Sequence, residues 1–278
     1  MRRAAVLMLG AVVATSCSLS GDGGPGAGTG AVLPPAAAVD GGKPLLYVAV
    51  GASETAGLRA EVPLREGWPR VLYQAAMPVT TVFVNLGIPG ATVAQALAVE
   101  LPQALGLEPD LVTVWLNVND IIAGVPPADF ERDLASLVRQ LRRGGATRVL
   151  VANTPPLDRL PAYLACRPDP PATAPECRRP EPLPEPEAVN QMVDEYNAAT
   201  ARIAGQEGAG LVDLHAVGMA ARDAGIDQAL VSFDGFHPNS GGHRAVATAF
   251  ASVLTGNGVQ ATQAGNGVQA TRAGNGGR

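Results

Sequence analysis

The sequence predicts an α/β domain built on a mostly parallel sheet with helices on both faces. Three observations carry that reading. Five short β-branched or aliphatic runs are spaced along the chain, helix-length segments separate them, and a 47% hydrophobic content over 278 residues is ample for a sizeable core.

The first run, Leu45 to Val50, reads as a buried strand that Gly51 breaks, so Ser53 sits where a strand hands over to a loop. Further strands are predicted at 80–85, 110–116, 147–152 and 210–214. Helices are predicted at about 69–77, 92–105, 129–143, 188–206 and 240–254. In an open parallel sheet the crevice outside the carboxyl ends of the strands is where ligands bind. A lone serine there is more often a cap or turn residue, so Ser53 needs partners before it signifies anything.

The flanks differ in composition from this core. Met1-Arg2-Arg3 and the apolar and small run Ala4 to Ala14 have the shape of a signal peptide over residues 1–16, too short for a stable span of roughly 20 apolar residues. Ala14-Thr15-Ser16-Cys17 resembles a bacterial lipobox, with Ala14 where a large aliphatic residue is usual. The first reading is a cell-surface lipoprotein attached to the membrane through acylated Cys17. The alternative is ordinary cleavage, giving a secreted or periplasmic protein. Residues 17–43, rich in Gly, Ala and Pro, read as a flexible tether. The domain proper is expected over 44–255. Beyond it, Gly256 to Ala264 is nearly repeated in Gly265 to Ala273, and the tail 256–278 is expected to be disordered, because so few apolar side chains cannot bury a core.

One segment stands apart within the domain. Residues 155–186 hold 11 of the 24 prolines together with Cys166 and Cys177, and we set the insertion at 155–187. It follows the fourth strand, so it emerges on the Ser53 edge as a lid, a binding loop or a plain surface excursion. In an exported chain these polar, Pro-rich surroundings favour a Cys166–Cys177 disulfide over two buried thiols.

Several chemistries are excluded or disfavoured. A formal net charge of −5 offers nothing to nucleic acid. Lys43 is the only lysine and lies in the tether, which disfavours Schiff-base chemistry, and no Gly-Lys-Ser/Thr phosphate loop is present. No Gly-x-Gly-x-x-Gly follows a strand, and neither Cys-x-x-Cys nor His-Glu-x-x-His occurs, so neither a dinucleotide nor a metal is expected. No cofactor is expected at all.

The strand ends are more informative. Strand one ends in Gly51-Ala52-Ser53, strand two in Asn85-Leu86-Gly87-Ile88-Pro89-Gly90, and strand three in Asn117-Val118-Asn119-Asp120. Gathered at one edge, these loops would place a hydroxyl, glycine backbone donors and carboxamide donors in one pocket, the collection an oxyanion hole needs. Serine also needs a base, best held by a carboxylate. Asp234 and His237, three apart in Asp-Gly-Phe-His, could be presented by one turn. Asp213 and His215, two apart at a strand end, are the competitor, and His243 reads as a solvated or packing residue of the last helix. Trp68 and Trp115 read as core or pocket wall, Arg142 and Arg143 as a solvated helix end, and Glu54 either as a surface charge or as a selector against anionic substrates.

Over residues 44–254 these ordered blocks resemble the SGNH hydrolases, also called the GDSL esterase and lipase family. The resemblance implies a flavodoxin-like three-layer α/β/α fold with five strands, and a serine esterase or lipase acting on small-molecule, lipid or carbohydrate esters through an acyl-enzyme, as a monomer. It assigns Ser53 as nucleophile, Asp234 and His237 as the remaining triad members, and the backbone N–H groups of Ser53 and Gly90 with the Asn119 amide as the oxyanion hole. Two positions depart from the family pattern: Ala52 replaces the usual Asp, and Asn117 replaces the usual Gly, where it either crowds the pocket or adds a donor. Thr55 stands where Gly-x-Ser-x-Gly would need its second glycine, which argues against an α/β-hydrolase nucleophile elbow. The other readings are a surface module that binds carbohydrate or lipid without catalysis, and an acyltransferase using the same site.

Overall fold

The computed structural model describes residues 44–177 and 183–256. The predicted leader, Cys17, the whole tether and all of the repeat tail but Gly256 lie outside the described residues. Five strands, β1 (Leu46–Gly51), β2 (Val82–Asn85), β3 (Leu111–Trp115), β4 (Arg148–Ala152) and β5 (Gly210–Val212), form one all-parallel sheet in the order β2-β1-β3-β4-β5. This is the flavodoxin-like order, whose switch point lies between β1 and β3, so the end of β1 opens into the crevice where ligands bind.

The helices are α1 (Pro63–Glu66), α2 (Trp68–Ala76), α3 (Val93–Ala98), α4 (Glu100–Leu107), α5 (Val118–Ile122), α6 (Pro127–Arg142), α7 (Pro161–Leu164), α8 (Pro186–Glu207), α9 (Leu214–Asp223) and α10 (Ser240–Leu254). Strand alternation decides which face each residue serves. Val48 and Val50 of β1 join Phe130, Leu134 and Tyr196 from α6 and α8 on one side. Tyr47 and Ala49 join Trp68, Leu72 and Phe250 from α2 and α10 on the other. Trp68 stacks on Phe250 with ring centroids 4.3 Å apart, and Phe130 on Tyr196 at 4.1 Å. No helix among the described residues is long and apolar enough to cross a membrane.

Three departures from the sequence expectations bear on the site. The helix expected over 92–105 is two helices that break at Val99, and the break turns Glu100 inward so that its Oε2 accepts the Gly51 N–H at 2.7 Å. The strand expected over 210–214 ends at Val212, and the residues after it, for which no element was expected, form the helix α9 with Asp213 as its N-cap. The Pro-rich segment carries structure of its own: α7, a Cys166–Cys177 disulfide, and a small cluster in which Leu157 and Tyr163 meet Val118, Val189 and Val193. Its Ala162 N–H donates to Gly235 O at 3.0 Å, so it braces the turn between Asp234 and His237.

Candidate active site

Ser53 is held by the local fold of its loop. Gly51 leaves no room for a side chain, because an added Cβ would lie 2.1 Å from Thr55 Oγ1 and 2.7 Å from Trp115 O. That close approach lets residues 52–58 wind into consecutive turns, with Ala56 N donating to Ala52 O and Leu58 N to Ser53 O. Ser53 is buried but for its face on the crevice.

The turn 232–239 supplies the partners. Asp234 Oδ1 accepts the Phe236 and His237 N–H groups at 3.0 Å each and the Ser232 hydroxyl at 2.7 Å, an Asx-type turn that Gly235, at φ +73°, allows to close. Its Oδ2 lies 2.8 Å from His237 Nδ1, and His237 Nε2 lies 3.0 Å from Ser53 Oγ. A carboxylate only accepts, so Nδ1 carries the ring proton and Nε2 is left as the acceptor for the serine hydroxyl. Burial alone would raise the Asp234 carboxyl, but the donors from His237, Ser232 and the Phe236 backbone outweigh it and hold the group far below the ordinary carboxylate range.

Arg59 was not anticipated beside this array, and Glu54 is not the surface charge of its first reading. Arg59 Nε donates to Asp234 Oδ2 at 2.8 Å while its guanidinium lies 4.5 Å from the Phe233 ring centroid. No spacing rule connects residues so far apart in sequence. Glu54 is neither a surface charge nor distant: it is buried, with Oε2 3.3 Å from Ser53 Oγ. Burial pushes the Glu54 carboxyl up.

The oxyanion candidates sit in adjoining loops. Asn119 lies in the first turn of α5 and its Nδ2 donates to Ala91 O at 3.0 Å, next to Gly90. One amide hydrogen is thereby used and the other is left over. Gly90 has φ +85° and nothing within 4 Å of a notional Cβ, so its peptide borders open space. The β2 loop is tied to the serine loop where Asn85 Nδ2 donates to Thr55 O at 2.6 Å and Ile88 N to Gly51 O at 2.9 Å. Asp120, pushed up to about 6 by burial, accepts the Val93 N–H and fixes the start of α3 beneath that loop. Asn117 is buried and its Nδ2 donates to Ala152 O at 3.3 Å, towards β4.

The competing pair is not a pair. Asp213 Oδ1 accepts from Ala216 N and Asn153 Nδ2, and the His215 ring contacts Thr154 O, so neither approaches Ser53. His243 is fully buried: Nδ1 accepts from Trp68 N at 3.2 Å and Nε2 donates to Leu58 O at 3.1 Å, while burial lowers its pKa. Trp68 is core, and Trp115 is core that also lines a cavity beside Glu54. Among the described residues no group of three His, Cys, Asp or Glu is arranged to hold a metal ion.

The sequence profile of the GDSL-like lipase/acylhydrolase family matches residues 49–245, which contain every residue of this array. The chain belongs to that family. An arylesterase from Vibrio mimicus is 31% identical over 105 residues, which cover 37% of this chain and 51% of that protein; the chain thus matches about half the length of this relative. Among solved structures, a lipase/acylhydrolase from Enterococcus faecalis is 16% identical with a TM-score of 0.56, covering 76% of this chain and 96% of that one. An acetyl-xylooligosaccharide esterase from Geobacillus stearmophilus is 20% identical with a TM-score of 0.56, covering 76% and 94%. At such identities the likeness is one of fold, and it places this GDSL-family chain on the same five-stranded parallel sheet flanked by helices.

Proposed function

We propose that the chain hydrolyses carboxylic esters through a Ser53–His237–Asp234 triad and an acyl-enzyme. The observation that carries the reading is the continuous hydrogen-bonded line from Ser53 Oγ through both ring nitrogens of His237 to Asp234 Oδ2, at 3.0 and 2.8 Å. His237 Nε2 takes the Ser53 proton as Oγ bonds to the carbonyl carbon, and the carbonyl electron pair moves to its oxygen. The N–H groups of Ser53 and Gly90 and the remaining Asn119 amide hydrogen hold that oxyanion. When the tetrahedral species collapses, the C–O bond to the alcohol breaks and the alcohol oxygen takes the proton from His237. Water then repeats the sequence on the acyl-enzyme. Asp234 keeps the ring in the required tautomer and stabilises the imidazolium. Family membership supports ester cleavage in general, and the local geometry supports these assignments within it.

A serine-reactive phosphonate should label the wild-type protein at Ser53 and leave Ser53→Ala unlabelled, with p-nitrophenyl acetate turnover lost in parallel. A non-catalytic binding module would take up no label, and full esterase activity in purified Ser53→Ala would remove the nucleophile assignment. The leader and the Cys17 pattern support export and attachment by an acylated cysteine. Metabolic labelling with a fatty acid, lost in Cys17→Ser, tests that part.

A further inference from the structure

Among the described residues, every hydrogen bond to the Asp234 carboxylate but one comes from its own turn. Oδ1 is served by Ser232, Phe236 and His237, and Oδ2 by the His237 ring; the exception is Arg59, whose Nε donates to Oδ2 at 2.8 Å from the loop that follows Ser53. Arg59 stands on anchored backbone. The Leu58 N–H donates to Ser53 O at 2.9 Å, the Leu58 carbonyl accepts from His243 Nε2 at 3.1 Å, and Ala60 N donates to Gly57 O at 3.2 Å. The guanidinium lies 4.5 Å from the centroid of the Phe233 ring, a side chain otherwise 83% exposed, and that contact steadies the fork.

The backbone of Arg59 is a second, independent observation. It lies at φ +71°, in the left-handed region that L side chains other than Asn and Asp avoid. Three other non-glycine residues share that region. Glu108 and Arg143 are helix C-caps, where left-handed geometry is common, and Asp169 is an aspartate. Neither account covers Arg59, which sits among the turns after Ser53, at a position that a glycine would fill without strain. The side chain, then, is what this position serves.

We propose that Arg59 is a positioning residue of the esterase site, a strap that ties the serine loop to the Asp234–His237 turn and so sets the imidazole against Ser53. The inference rests on the esterase reading above. Ser53 and His237 are 184 residues apart in the chain, and the base must meet the hydroxyl within hydrogen-bond reach for the proton to move. The other bonds to Asp234 move with its own turn, so they fix the shape of that turn and not its place over the serine. Further bonds join the two regions, from the Glu61 N–H to Ser240 Oγ and from the His243 ring to Leu58 O, but they end on α10 rather than on the triad. Arginine suits the task because a planar guanidinium stacked on a ring presents its Nε in one direction, which a flexible ammonium does not. Arg59 acts through Asp234, and its loss should weaken the transition state more than substrate binding.

The test is Arg59→Gly, which removes the side chain and relieves the backbone at once. Its melting temperature should match or exceed that of wild type, while kcat on p-nitrophenyl acetate falls about tenfold with KM within about twofold, and phosphonate labelling at Ser53 slows in parallel. Guanidinium ion, added well below denaturing concentrations, should restore part of the lost kcat in the variant and leave wild type unchanged. Placed on Asp234→Ala, the same substitution should cost less than about twofold further, because the strap then has no carboxylate to hold. A kcat in Arg59→Gly equal to that of wild type overturns the proposal. So does a loss that comes with a lowered melting temperature and no response to guanidinium, the result a purely structural arginine would give. A tenfold loss that persists undiminished on Asp234→Ala also overturns it, by giving Arg59 a role apart from the aspartate. Failure of the parent reading looks different: wild type itself would then neither take the phosphonate nor turn over the ester.

Discussion

Two stretches of this chain present an aspartate and a histidine within three positions of each other, Asp213–His215 at the start of α9 and Asp234–His237 before α10, and they do different work. At Asp213 the carboxylate serves the helix end through Oδ1 and makes no bond to the His215 ring. It caps α9 through the Ala216 N–H and takes the Asn153 amide, while the His215 ring turns to the Thr154 carbonyl. At Asp234 one oxygen is consumed by the turn, through Ser232, Phe236 and His237 N–H, and the second is left to face the imidazole and Arg59. A histidine becomes a candidate base when its carboxylate meets one ring nitrogen and the ring's other nitrogen meets a hydroxyl. Only the second stretch meets both conditions.

The contrast is broken most directly by exchanging the carboxylates for amides. Asp234→Asn should lower kcat by about a thousandfold or more, as expected when the imidazole loses its tautomer control, whereas Asp213→Asn and His215→Ala should stay within about twofold. Steady-state kinetics on an aryl acetate decide it; the reverse ranking would move the base to His215. Next in size, Asn119→Ala should cost about 3 to 4 kcal/mol of transition-state stabilisation, a hundredfold or more in kcat with little change in KM.

Stability measurements sharpen the comparison by reading how each stretch is supported. Glu100, whose carboxyl is pushed up to about 7 by burial, holds the Gly51 N–H below Ser53. The folded state binds this proton more tightly than the unfolded chain, so the contribution is full below the ordinary glutamate value and is lost as pH rises towards 7. It amounts to about 3 kcal/mol. Urea melts of wild type should therefore weaken over that window, and Glu100→Gln should flatten the dependence. Reducing Cys166–Cys177 should cost about 2 to 3 kcal/mol and loosen the segment that donates Ala162 N–H to Gly235, without disturbing the Asp213 cap. The smallest effect is expected from Asp213→Ala, about 1 kcal/mol for a lost N-cap, seen as a lower melting temperature at unchanged activity.

Much of the fold was legible because the signals were local. Each buried strand is a short run rich in Val and Leu, and α10 keeps its apolar stripe from His243 to Ala251 behind an Asn239 cap. The helix α9 was missed although Leu214, Val217 and Ala221 recur at helical spacing; it is short and Leu214 is its only buried residue, so the stripe is a weak one. The break at Val99 was signalled by Pro102, which has no N–H to donate to the Ala98 carbonyl and so belongs in the first turn of a new helix; that the interruption serves a contact with Gly51 on another element was not legible.

For the site, the sequence by itself determined the ingredients and their order: Ser53 after the first strand, Gly90 and Asn119 after the next two, and Asp234 three residues before His237, a spacing one turn can present. Tertiary structure alone decided which histidine meets the serine, that Glu54 is buried against Ser53, that Arg59 reaches Asp234, and that Asn117 spends its amide on β4. Spacing along the chain fixes what a single turn can do. Hydrogen-bond partners between distant elements depend on where the sheet and the helices bring their ends together, and no local pattern encodes that.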